Sequence, residues 1–149
     1  MNFLARWQSV HEEHRPSRRV IVAAAMMVDG RVLACERAHP PEVAGGWELP
    51  GGKVEPGESE QAALARECVE ELGVRVEVRE RVGPDVDIAG GRGVLRAFAV
   101  RLPNGTMPQP LEHAALRWLG AAELDSVPWL PADRPIVAAL SVLLGERPA

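Results

Sequence analysis

At 149 residues the chain suits one domain, large enough to bury a substantial core. Its apolar content of 46% and charged content of 26% are ordinary for a globular protein, and no apolar run reaches membrane-spanning length. A net charge of −4 argues against polymeric nucleic acid as a partner, since that requires a basic face.

Residues 1–18 are polar and read as an N-terminal extension to a single domain over residues 19–149. They lack the apolar stretch of a signal peptide. His11-Glu12-Glu13-His14 looks superficially metallic. A zinc-protease helix places its histidines four apart, and these stand three apart, so the run is discounted. Cys35 and Cys68 make neither a metal spacing nor a disulfide framework. Both are expected to be reduced and buried, in a cytoplasmic protein.

Val20–Met27 is rich in Val, Ile and Ala and predicts a strand. Asp29-Gly30 is a two-residue hairpin signal. Arg31–Arg37 returns as a second strand, with Val32 and Ala34 on one side and Leu33 and Cys35 on the other. His39 to Gly46 is a loop, and Trp47-Glu48-Leu49-Pro50 leads into Gly51-Gly52, where backbone can approach a ligand closely. Ser59 is the expected cap of a central helix, with Ala62, Ala65, Val69 and Leu72 as its buried stripe, opposite Glu67 and Glu71. Gly73 is the expected stop. Val74–Val82 alternates like a half-buried strand, and Pro84–Gly93 holds a short extended piece and a turn. Strands follow at Val94–Leu102 and Ala115–Leu119, then a short helix at Ala121–Asp125 and a turn at Pro131–Arg134. An apolar helix over Pro135–Leu144 closes the chain. Strands interrupted by one central helix and closed by another predict a sheet covered on both faces.

The 23 residues from Gly52 to Val74 carry most of the functional information. Glu67, Glu70 and Glu71 fall at i, i+3 and i+4, on one face of the expected helix. Like charges at that spacing destabilise a helix by roughly 0.2–0.5 kcal/mol per pair. Glutamate is also a good helix former, and an acidic helix face is ordinarily just solvated. A clustered set of oxygen donors suits a hard divalent cation, usually Mg²⁺.

The flanking residues decide between these readings. Gly52, Glu58, Arg66, Glu67, Glu70, Glu71 and Gly73 occupy every fixed position of a pattern that resembles the Nudix box, with Cys68 and Val74 in its apolar slots. The likeness extends through Trp47–Lys53 and Leu130–Pro135, and so over roughly residues 20–144, where it resembles MutT-type nucleoside triphosphate pyrophosphohydrolases. It implies an α/β/α sandwich with a mixed central β-sheet between helices. It also implies Mg²⁺ as cofactor, with Mn²⁺ as the alternative. The ligands carried over are Glu67, Glu70, Glu71, the carbonyl of Gly51 and the adjacent Glu58. Arg66 resembles the arginine that orients the glutamates. Glu112 stands six residues before Trp118, as does a family glutamate that serves the metal site or acts as base. A loop glutamate is as readily a solvated one.

For the substrate, Arg37 matches a family arginine that faces the nucleotide, and Trp47 and Trp129 offer stacking surfaces or core packing. In MutT the position of Asp133 is an asparagine that reads oxidised guanine, whereas an Ala-Asp pair is common in the CTP pyrophosphohydrolase branch. An ionised Asp only accepts, which suits the N4 amino group of cytosine. Asp133 also precedes a helix and could simply cap it. The chain has no tyrosine, so the downstream Tyr of diadenosine polyphosphate hydrolases is missing. The resemblance therefore implies cleavage of CTP, dCTP or a 5-methylated form to monophosphate and pyrophosphate. The alternative is 8-oxo-dGTP, in nucleotide-pool sanitation. Nudix folds that sense nucleotides without hydrolysis usually lack box glutamates, all of which are kept here. Monomer and homodimer are both compatible with the sequence.

Overall fold

Arg19–Val28 forms strand β1, and the site is arranged around it. In the computed structural model, which describes residues 18–145, the remaining strands are β2 (Arg31–Glu36), β3 (Trp47–Glu48), β4 (Gly51–Lys53), β5 (Glu77–Ile88), β6 (Gly93–Arg101) and β7 (Ala115–Gly120). Helix α1 spans Glu60–Leu72 and α2 spans Arg134–Gly145. Short 3-10 turns cover Ala121–Ser126 and Pro131–Asp133. The His11–His14 run and most of the expected extension lie outside the described residues. No described helix is long and apolar enough to cross a membrane.

One edge of β1 pairs in parallel with β6 from Arg19 to Met26. The other edge is shared. Ile21–Ala23 pair antiparallel with β4, while Met27 and Val28 pair with β2 across the expected hairpin. Asp29 and Gly30 both have positive φ, as that turn requires. The sheet forks between these two pairings, and the Leu49-Pro50 link enters the fork, where Pro50 accepts from the Ala24 N–H at 2.7 Å. β7 extends the sheet beyond β2, and β5 lies beyond β6.

Both faces of the sheet are covered, so its central strands β1, β2 and β6 are apolar on both sides. Ala23, Ala25, Val32, Ala34 and Leu95 pack with Ile136 and Leu140 of α2. Val22, Ala24, Leu33, Cys35 and Phe98 pack with Leu64, Cys68 and Leu72 of α1. The expected alternation of β2 is observed, and both cysteines are buried and free. Mixed sheet and helices form the α/β sandwich.

Three expectations need correction. The buried face of α1 consists of Ala63, Leu64, Cys68, Glu71 and Leu72; Ala62 is exposed, Ala65 half-buried and Val69 47% exposed. Glu71 marks the inner face because a backbone N–H partner receives its carboxylate there. Second, β3 and β4 lie in a stretch read as a connection, since Trp-Glu and Gly-Gly-Lys show no alternation. Their pairing is imposed by β2 and β1. Third, β5 starts at Glu77 rather than Val74 and continues through Pro84 to Ile88. Register shifts between Val78 and Arg81 and between Val82 and Val86 accommodate the proline.

Candidate active site

Two glycines bring α1 against the fork. A methyl group on Gly51 would overlap the Val22 carbonyl, and one on Gly52 would overlap the Glu67 carboxyl. Backbone of β1 and a carboxylate of α1 thus take the space of two side chains. Gly51 N–H donates to Glu71 Oε2 at 3.1 Å. Ser59 caps α1 by accepting from the Ala62 N–H at 3.0 Å, and Gly73 closes it in the left-handed conformation. The helix is fixed at both ends, which sets the backbone positions from which its carboxylates project.

Arg66 organises the acidic face. Its Nε and Nη2 donate to both oxygens of Glu58 at 2.8 and 2.9 Å, its Nη1 to Glu67 at 3.0 Å and Glu70 at 3.3 Å, and its Nη2 also to the Lys53 carbonyl at 3.0 Å. The paired Arg66 guanidinium and the Glu55 N–H hold the Glu58 carboxyl at about 2. Both Glu58 oxygens are thereby engaged. The structure makes this residue the anchor of Arg66.

Glu67 and Glu71 respond differently. Burial raises the Glu67 carboxyl, against the lowering influence of Arg66. Burial pushes Glu71 up to about 8; the Gly51 N–H opposes this, and Glu67, Glu48 and Glu112 add to it. Glu70 is half exposed. Glu112, in the loop before β7, is exposed, and it shares a small cavity with Glu71, Glu48, Arg37 and His113.

A larger cavity of about 280 Å³ opens on the other side of Glu48. Arg37, Glu48 and Asp133 give it polar walls, Ile21, Leu95 and Leu130 apolar ones, and Gly51, Gly52 and Lys53 line the side towards α1. Asp133 is 6% exposed and accepts from the Leu49 N–H at 2.9 Å. The structure therefore gives its carboxylate to the β3–β4 link rather than to a helix cap. Trp47 and Trp129 do not line this cavity. Both are core residues, and Trp129 Nε1 donates to the Leu124 carbonyl at 2.6 Å. The stacking surfaces expected of them are turned inward.

Burial, offset in part by the Leu49 N–H, raises Asp133 from 3.8 to about 7. Between these values the folded chain holds a proton that the unfolded chain has lost. Its contribution to stability therefore declines as pH rises from about 4 through about 7. Asp133→Asn keeps an acceptor for Leu49 and removes the titration. In thermal unfolding, it is expected to flatten the stability profile over that window and to gain roughly 2–4 kcal/mol on the wild type at pH 8. Parallel profiles would contradict the assignment.

Sequence reasoning missed Glu48 and His113. Glu48 lines both cavities, lies 3.3 Å from Arg37 Nη1 and 3.0 Å from His113 Nε2, and is largely buried. Its place beside Gly51-Gly52 in the sequence was the only available signal. His113 had none, because its partner is 65 positions away.

Among the described residues, no three His, Cys, Asp or Glu side chains already stand at ligand spacing. The donor chemistry nevertheless fits a hard divalent cation. Glu67 and Glu71 are carboxyls raised by burial and by neighbouring carboxylates, and a bound cation relieves that cost.

The NUDIX domain profile matches residues 15–140. A Mycobacterium tuberculosis protein provisionally named 8-oxo-dGTP diphosphatase 2 is 49% identical over 134 residues, covering 88% of this chain and 94% of that protein. The CTP pyrophosphohydrolase of Escherichia coli K12 is 42% identical over 130 residues, covering 87% and 96%. The solution structure of the E. coli ORF135 protein superposes with a TM-score of 0.72 at 37% identity, covering 89% and 95%. The chain belongs to the Nudix family, as a MutT-like Nudix hydrolase.

Proposed function

We propose that this hydrolase is a cytoplasmic, Mg²⁺-dependent pyrophosphohydrolase, with Mn²⁺ as the alternative ion. It cleaves a cytosine nucleoside triphosphate (CTP, dCTP or a 5-methylated form) to monophosphate and pyrophosphate. The observation that carries this reading is the larger cavity, whose base-sized polar end at Arg37, Glu48 and Asp133 continues into Gly51, Gly52 and Lys53 beside the acidic helix. One nucleotide can place its base at the first end and its phosphates at the second.

Glu67, Glu70 and Glu71 would hold the cation, with the Gly51 carbonyl as the backbone ligand the family resemblance implies. A bound cation supplies neutralisation of phosphate charge and polarisation of the scissile phosphoryl group. Arg66 keeps Glu67 and Glu70 oriented and anchors on Glu58. Lys53 places the chain's single lysine charge towards the phosphates. Glu112 is the proposed acceptor of the proton of the attacking water. Attack at the β-phosphorus is what the resemblance to MutT implies. Glu48 and Asp133 present acceptors to the base, and cytosine N4 offers the matching donors.

An oxidised guanine triphosphate is the second reading. With the Asp133 carboxyl raised to about 7, its protonated form is accessible near neutral pH and can then donate to a guanine oxygen. The name of the mycobacterial relative points the same way. The two readings separate by pH. Ionised Asp133 favours cytosine, so the ratio of kcat/KM for CTP over 8-oxo-dGTP is expected to rise as pH passes through about 7. Asp133→Asn should flatten that rise and shift the ratio towards 8-oxo-dGTP, with one base contact contributing roughly 1–3 kcal/mol. A ratio unaffected by pH and by the substitution would remove Asp133 from recognition.

A further inference from the structure

His113 is almost fully buried, with 5% of its side chain exposed, and has no part in the chemistry above. Its Nε2 lies 3.0 Å from Glu48 Oε2, while its Nδ1 is buried without any hydrogen-bond partner. A buried N–H without an acceptor is costlier than a buried lone pair on nitrogen. The proton therefore belongs on Nε2, where the carboxylate receives it.

The position of this contact matters more than its strength. Glu48, with Arg37, lines both the nucleotide cavity and the smaller cavity that holds Glu71 and Glu112. The carboxyls of Glu71 and Asp133 both lie close enough to interact with Glu48, so its orientation depends on the groups that hold it. Arg37 holds it from one side, with its own guanidinium fixed on the His39 carbonyl at 3.1 and 3.2 Å. His113 holds it from the other. His113 also follows Glu112 directly in a loop tied by backbone bonds from the Gln109 N–H to the Leu72 carbonyl at 2.9 Å, the Leu111 N–H to the Glu71 carbonyl at 3.1 Å, and the Ala114 N–H to the Glu36 carbonyl at 2.9 Å.

We propose that His113 is a positioning residue. By donating from Nε2 to Glu48 it clamps the Glu112 loop to the wall of the nucleotide cavity, so that base recognition and the placement of Glu112 are coupled through this side-chain contact. The kinetic consequence rests on the reading of the site as a nucleoside triphosphate site. The contact and tautomer do not.

The test combines kinetics and NMR on the full chain. Gln at position 113 can present an amide N–H where Nε2 stands; Leu presents none, and Asn is too short to reach. His113→Leu and His113→Asn are expected to lower kcat/KM for CTP or 8-oxo-dGTP by at least about tenfold, with His113→Gln within about threefold of wild type. In a Glu112→Gln background, His113→Leu should cost much less than in the wild type, because the residue it positions is already gone. Long-range ¹H–¹⁵N spectra should show a protonated Nε2 and an unprotonated Nδ1, with Glu48→Gln shifting the Nε2 signal. Equal loss in the Leu and Gln variants, undiminished loss in the Glu112→Gln background, or a proton on Nδ1 would overturn the proposal. If wild type cleaves no nucleoside triphosphate, the proposed function has failed, and the spectra still decide the clamp. If His113→Leu does not fold, the Gln variant and the Glu48→Gln spectra serve the same purpose.

Discussion

Glu71→Gln is expected to lower kcat by about 10²–10⁴-fold while leaving the metal-free protein at least as stable as wild type at pH 7. The two halves of this expectation have separate causes. Gln keeps an acceptor for the Gly51 N–H, so the link between α1 and the fork survives. Burial already holds Glu71 up to about 8, so at pH 7 the metal-free protein carries mostly the neutral acid, which Gln mimics. The folded pKa lies above the unfolded value of 4.5, so wild-type stability contributed here declines as pH rises towards and through about 8. At pH 9 the variant should therefore unfold at a higher temperature than metal-free wild type. What it lacks is an anionic oxygen for the cation, so added Mg²⁺ should raise the melting temperature of wild type and not of the variant. A variant with full kcat, or one that unfolds at pH 7, would contradict this view of Glu71.

The neighbouring glycines are expected to fail in opposite ways. A Cβ on Gly51 meets the main-chain carbonyl of Val22 in the core strand of the sheet, which cannot move without breaking the β1–β4 ladder. Gly51→Ala should cost about 3 kcal/mol or more and leave little folded protein. A Cβ on Gly52 meets only the Glu67 carboxyl, the free end of a flexible side chain. Gly52→Ala should fold, with a melting temperature near that of wild type. It should lose activity by about 10²-fold, because Glu67 is displaced by roughly an ångström from where it must act. Chemical denaturation and kcat measured on both variants check the contrast. Two variants with the same profile, whether both unfolded or both active, would show that the glycines do not hold these separate roles.

These residues also show how far the sequence reaches. The spacing of Glu67, Glu70 and Glu71 and the flanking Gly52, Glu58 and Arg66 announced the acidic helix, because helical periodicity is a local property. The hairpin at Asp29-Gly30, the cap at Ser59 and the alternation of β2 were legible for the same reason. The inward face of α1 was not. Glu71 reads as a solvent-facing residue until the Gly51 N–H, 20 positions away, is known to meet it. Trp47 and Trp129 could be read as stacking surfaces or as core packing, because nothing in their own segments reveals that they pack together in the core. Asp133 as a partner of Leu49, and His113 as a partner of Glu48, are contacts across 84 and 65 positions. Only the fork in the sheet, whose β3 and β4 are too short to show periodicity, brings them together.

The central claim is tested most directly by pyrophosphate release from purified protein with Mg²⁺, comparing kcat/KM for CTP, dCTP, 5-methyl-dCTP, 8-oxo-dGTP, dGTP and ADP-ribose. The expected result is pyrophosphate and monophosphate from a nucleoside triphosphate, with the highest value for a cytosine nucleotide and 8-oxo-dGTP next. A maximum for ADP-ribose, or no hydrolysis of any of the six, would contradict the assignment of this site to nucleoside triphosphate pyrophosphohydrolysis.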